Sequence, residues 1–103
     1  MRTVTLSPAA RRWFDRRIDD LTEINPAAAR NLVKRLLEIQ RLIAEFPDIT
    51  ERGRKPGTRK ISMPPYILMA RRRGDNIEIY AIRHARQRDA LAPRPTAGED
   101  VDA

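Results

Sequence analysis

The spacing of apolar residues changes several times along this chain, and each change predicts an element. Residues 2 to 6, Arg-Thr-Val-Thr-Leu, are β-rich and place Val4 and Leu6 on one side of a short strand. Ser7-Pro8 ends it. Ser7 is suited to cap a helix, Pro8 to the first helical position where its missing N–H costs nothing, and Leu6 to staple the first turn. Ala10, Phe14, Ile18 and Leu21 then recur at three- and four-residue steps with charged residues between them, which predicts one amphipathic helix ending near Ile24. Asn25-Pro26 repeats the start signal. Ala29, Leu32, Val33, Leu36, Ile39, Ile43 and Phe46 mark the apolar stripe of a second, longer helix that Pro47 stops. With only the Asn25-Pro26 corner between them, the helices are expected to form an antiparallel hairpin.

From Asp48 to Pro65 glycine and proline mix with Arg52, Arg54, Lys55, Arg59 and Lys60, which reads as a basic loop leading into a short edge strand around Arg59 to Ser62. Tyr66 to Arg73 and Asn76 to His84 follow as two strands, joined at Gly74-Asp75 by a tight hairpin turn that needs positive φ. The order strand, helix, helix, strand, strand, strand predicts an α+β fold, a helical hairpin packed on a small, mainly antiparallel sheet. The domain is expected over residues 1 to 92. Residues 93 to 103, rich in proline and acids, are expected to form a disordered tail. One feature stays open: Leu68 with Met69, and Ile79 through Ile82, put apolar side chains on both faces of the central strands, yet two helices cover one face. Either the basic loop and tail fold over the second face, or a partner chain lies on it.

At 103 residues the chain has room for one core, and with 41% hydrophobic but only 5% aromatic residues that core must be mostly aliphatic. Trp13, Phe14 and Phe46 are its expected large pieces. Lys and Arg number 21 against 14 acids, a net charge of +7 that favours nucleic acid or an acidic protein as partner. Cysteine is absent, which excludes disulfides and thiolate metal sites. No apolar run has the length of a signal peptide or a membrane span, so a cytoplasmic protein is expected.

Catalytic candidates are few. His84 is the single histidine, Ser7 and Ser62 have no evident His and carboxylate companions, and no phosphate loop or dinucleotide fingerprint occurs. No metal or cofactor is predicted. What clusters is arginine: Arg71, Arg72 and Arg73 close one strand, and Arg83, Arg86 and Arg88 bracket His84. Guanidinium groups stay charged and present a planar fork to phosphates and carboxylates, so the pattern suits gripping a polyanion or an acidic peptide. No aromatic platform accompanies them, which argues against a base-stacking RNA module.

Over residues 2 to 90 the chain resembles the RelE/ParE toxin superfamily. The resemblance is carried by Leu6-Ser7-Pro8-Ala9-Ala10, Asn25-Pro26-Ala27-Ala28-Ala29, Phe46-Pro47, Gly57-Thr58-Arg59, Pro65-Tyr66-Ile67 and Ile82-Arg83-His84-Ala85-Arg86-Gln87, in that order and spacing. It implies a toxin held inactive in a hetero-oligomer by an antitoxin encoded beside it, with operator DNA contacted only through the antitoxin. RelE-like members cut messenger RNA on the ribosome with cationic side chains and usually a tyrosine near the carboxyl end; ParE-like members inhibit DNA gyrase. Here Ile67 stands near the position of the nucleases' strand arginine, and Gln87-Arg88-Asp89-Ala90-Leu91 offers no tyrosine. The ending His84-x-Arg86-Gln87 looks like the ParE branch. The resemblance therefore implies a gyrase inhibitor with a ParD-like antitoxin, the ribosome-dependent nuclease being the alternative. On that basis Arg59, Arg71, Arg83, His84, Arg86 and Gln87 are the target-facing candidates. Trp13, Leu36, Leu37, Leu68, Met69, Tyr80 and Ile82 are the antitoxin-facing ones.

Overall fold

The structure is a computed structural model that describes residues 2 to 86. Gln87 and the expected tail lie outside the described residues. The chain forms strand β1 (Val4–Leu6), helices α1 (Pro8–Ile24) and α2 (Pro26–Glu45), a 3₁₀ turn (Pro47–Ile49), and strands β2 (Glu51–Arg52), β3 (Thr58–Met63), β4 (Tyr66–Arg73) and β5 (Asn76–His84). The sheet runs β1-β5-β4-β3-β2, with β1 parallel to β5 and the other pairs antiparallel. This is the expected α+β arrangement with one addition, because the basic loop contributes the two-residue strand β2.

Local chemistry sets the helix limits. The Ser7 hydroxyl accepts from the Ala10 N–H at 3.1 Å, and Pro8 occupies the first turn. Asn25 serves both helices: its N–H donates to the Leu21 carbonyl at 2.6 Å, ending α1, and its side-chain oxygen accepts from the Ala28 N–H at 3.1 Å, starting α2. A one-residue corner then forces the antiparallel hairpin.

The helices bury one face against the sheet. Phe14 of α1 and Leu32, Leu36 and Ile43 of α2 meet Ile61, Met63, Leu68, Ile79 and Ile82 in one core. Burying each such side chain stabilises the fold by about 1.5–3 kcal/mol relative to exposure. Phe46 does not join it. As the residue that ends α2 before Pro47 it projects outward and remains 54% exposed, and Val33, beside the buried Leu32, also faces solvent. Trp13 packs at the margin of the core, half-buried.

The doubly apolar strands have a local explanation. Ala70 pairs with Ile79 and Met69 with Ala81, so Tyr80 is an extra residue, a β-bulge. Strict alternation would send Ile79 and Ile82 to opposite faces. The bulge returns both to the core, where both are fully buried. The apolar residues left on the face away from the helices are Ile67, Met69, Tyr80 and Ala81, interleaved there with Arg71, Glu78 and Arg83.

Candidate functional site

The cationic residues divide between the two ends of the central strands, one group on this open face and one on the helix side. At the end near the β4–β5 turn, Arg71 pairs across the strands with Glu78, its Nε and Nη2 each 3.0 Å from Glu78 Oε1. Arg73 reaches the same oxygen at 3.4 Å, and the Arg71 guanidinium lies 5.0 Å from the centroid of the Tyr80 ring. Exposed pairs of this kind contribute little to stability, about 0–1 kcal/mol each. What the arrangement does is bring two guanidinium groups to one carboxylate on the open face of the sheet.

Arg59 sits on the neighbouring strand but faces the other way. It pairs with the buried Ala70, and its Nε and Nη2 donate to the Thr50 hydroxyl and carbonyl at 2.6 and 2.9 Å. Two donors fixed on one residue make it a brace for the 3₁₀ turn. That places this target-facing candidate on the helix side of the sheet, beside the 3₁₀ turn.

At the other end of the strands, on the side of α1, aromatic rings gather. Tyr66, buried at the start of β4, has the Trp13 and His84 rings edge-on at 5.6 Å each, and its hydroxyl accepts from Arg17 Nε at 2.8 Å. His84 Nδ1 accepts from the Arg86 N–H at 3.2 Å, which fixes the imidazole against the chain that follows. Tyr66 and His84 are cross-strand partners, whereas Arg71 is five residues along β4. At the rise of a strand that is about 17 Å, so the structure brings His84 and Arg86 together but holds Arg71 apart from them. Arg83 lies on the open face yet is buried, at 6% exposure. Among the described residues no group of three or more His, Asp or Glu could hold a metal ion. Nor is any helix among them long and apolar enough to cross a membrane.

A family model for the ParE toxin of type II toxin–antitoxin systems, of the parDE type, matches residues 4 to 89. The chain belongs to the ParE toxin family. A solved structure described as a chromosomal ParDE toxin–antitoxin system from P. aeruginosa shares the fold, with a TM-score of 0.69 at 20% identity, over 82% of this chain and 96% of that one. No curated protein matches the sequence.

For a ParE-family chain the antitoxin-facing candidates divide sharply. Leu37 is exposed, and Trp13, Met69 and Tyr80 are half-buried and reachable. Leu36, Leu68 and Ile82 are not: all three lie in the core, Leu36 on the sheet side of α2, Leu68 and Ile82 as a cross-strand pair under the helices. In this structure these three side chains pack the core. Sequence reasoning also missed Arg17, Tyr66 and Glu78 as the groups that hold Trp13, His84 and Arg71. The Ile77-Glu78-Ile79 alternation carried a signal for Glu78; nothing local pairs Arg17 with Tyr66.

Proposed function

We propose that this ParE-family toxin acts by inhibiting DNA gyrase and is neutralised by a ParD-like antitoxin bound in a hetero-oligomer. The observation that carries this reading is the ParE family match across nearly all of the domain. The site chemistry agrees with it. Catalysis of RNA cleavage wants a general acid or base beside cations that stabilise a phosphate. By resemblance, Ile67 stands near the position of the nucleases' strand arginine, and His84 is packed on Tyr66 and bonded to the following backbone.

In this reading the toxin works by binding. Arg86 and His84 present the target-facing end, with Gln87 the next residue in the sequence, and Arg71 with Arg73 forms a separate cationic patch on the open face of the sheet. Trp13, Leu37, Met69 and Tyr80 are the accessible antitoxin contacts, operator DNA is reached through the antitoxin alone, and the complex resides in the cytoplasm.

The test is supercoiling and DNA cleavage by purified gyrase with the toxin added alone and then with antitoxin restored. Inhibition or trapped cleaved DNA, reversed by the antitoxin, is the expected result. Folded toxin that leaves gyrase untouched while messenger RNA is cut on ribosomes overturns the proposal in favour of the nuclease.

A further inference from the structure

Strand register gathers cations from three parts of the sequence at one end of the sheet. Thr58 pairs with Arg71, so the β2–β3 turn, with Arg52, Arg54 and Lys55, lies beside the β4–β5 turn, with Arg71, Arg72 and Arg73. Arg2 joins them, because Val4 pairs with Ile77 and the Thr3 N–H donates to the Asn76 side chain at 3.2 Å. The carboxylates at this end are Glu51, Asp75 and Glu78, and Glu78 is already shared by Arg71 and Arg73. Among the described residues no carboxylate forms an ion pair with Arg2, Arg52, Arg54, Lys55 or Arg72. The turn carrying Arg54 and Lys55 is held in shape: the Gly53 N–H donates to the Thr58 carbonyl at 2.8 Å, and the Thr58 N–H and hydroxyl both donate to the Lys55 carbonyl, at 3.1 and 2.6 Å. Alternation sends Arg71 and Arg73 to the open face and Arg72 to the helix side. A partner therefore meets all of them only by approaching the sheet end-on.

We propose that this end of the sheet binds the phosphate backbone of duplex DNA without sequence preference. Neighbouring strands stand about 4.8 Å apart, so the end of this five-stranded sheet is about 19 Å wide. At about 3.4 Å of helix axis per phosphate, that width spans about five phosphates of one DNA strand. The chemistry of the surface selects this partner. Pro56 is the one exposed apolar side chain among residues 51 to 58 and 71 to 76, so an acidic protein segment finds no anchor for an apolar side chain. Trp13 and Tyr66 lie at the opposite end of the strands, and the nearest ring, Tyr80, lies against the Arg71 guanidinium, which leaves no platform for the unpaired bases of single-stranded RNA. Contacts to phosphates carry no sequence information, so operator recognition stays with the antitoxin. The binding needs neither antitoxin nor gyrase, and its failure leaves the proposed function standing.

The test titrates the full chain, without antitoxin, into a fluorescein-labelled, mixed-sequence DNA duplex and follows anisotropy from about 50 to 200 mM salt. One variant combines Arg52→Ala, Arg54→Ala and Lys55→Ala; a second combines Arg72→Ala and Arg73→Ala. A control with Arg30→Ala, Lys34→Ala and Arg41→Ala removes three charges from exposed positions of α2. The two turn variants are expected to weaken binding by about tenfold or more at low salt, and to flatten the salt dependence by about one unit of slope per cation removed. The control stays within about threefold of the parent, since its charges act only through screened solvent. Should a turn variant fold poorly, backbone amide shifts of the unaltered toxin decide: shifts centred on residues 52 to 57 and 71 to 76 when duplex is added support the site, and shifts centred elsewhere overturn it. Equal losses in the control and the turn variants also overturn it, leaving net charge alone as the cause. Absence of duplex binding at the lowest salt rejects the proposal outright. Polyglutamate or single-stranded RNA bound as tightly as the duplex rejects the choice of partner.

Discussion

The hydroxyl of Ser7 donates to the carbonyl of Tyr80 at 3.4 Å, across a sequence separation of 73 residues, and so ties the start of α1 to the bulge in β5. The same oxygen accepts from the Ala10 N–H, while the Ser7 N–H donates to the Ile79 carbonyl at 2.8 Å. One small side chain thus caps a helix and satisfies a carbonyl that the bulge takes out of the ladder. Ser7→Ala removes both side-chain bonds and is expected to cost about 1–2 kcal/mol. Urea unfolding of the variant measures it. A midpoint equal to the parent's rejects the dual role.

The bulge itself makes a sharper prediction. Deleting Ala81 leaves Tyr80 opposite Met69, with Ile77, Ile79 and Ile82 all still directed to the core, so this shortened chain is expected to fold. Deleting Glu78 instead moves Ile77 to the open face. That variant should lose about 1.5–3 kcal/mol from Ile77 alone. Thermal melts of the two deletions side by side give the answer, and equal losses would contradict the assigned register.

Glycines at two turns are expected to differ in kind. Gly74 has φ of +65° and open space where a Cβ would stand, so Gly74→Ala pays only for the left-handed backbone, about 1–2 kcal/mol. Gly53 has no positive φ, but a Cβ there would run into the Thr58 hydroxyl. Gly53→Ala must therefore push Thr58 aside and loosen the β2–β3 pair. Proton chemical shifts report where each strain goes: confined to residues 73 to 76 for the first, spread across β2 and β3 for the second.

Arg59 and Arg86 separate structure from function. Arg59→Ala removes two charge-assisted bonds to Thr50 and is expected to lower stability by about 2 kcal/mol. Arg59→Lys, which has no fork, recovers only part of it. Arg86→Ala, at an exposed position, leaves the melting temperature unchanged while relieving growth arrest. Full toxicity of a stable Arg86→Ala protein would remove Arg86 from the target-facing surface.

What the sequence made legible was local. Ser7-Pro8 and Asn25-Pro26 announce their helices because a cap acts within three residues of itself, and Gly74 announces its hairpin because one backbone angle requires it. The bulge was hidden, since Ile79-Tyr80-Ala81-Ile82 is an unbroken apolar run and only cross-strand pairing reveals which residue is extra. Strand β2 was hidden for a similar reason: Glu51 and Arg52 have no strand pattern, and they pair with β3 because Arg59 holds Thr50 in place. At the candidate site, the sequence grouped arginines by their nearness along the chain. The fold regrouped them by register, sending Arg59 to a brace, Arg71 to Glu78 and Arg86 to the His84 end.

The parallel pairing of β1 with β5, Val4 beside Ile77 and Leu6 beside Ile79, has a consequence for how the molecule comes into being. During translation the first strand emerges early and finds no neighbour until nearly the whole domain has been synthesised. The helical hairpin, synthesised long before, has only part of its apolar floor until then. A nascent chain halted before residue 77 lacks Ile77, Ile79 and Ile82 and cannot close this core, so the fold is completed only by its last strand.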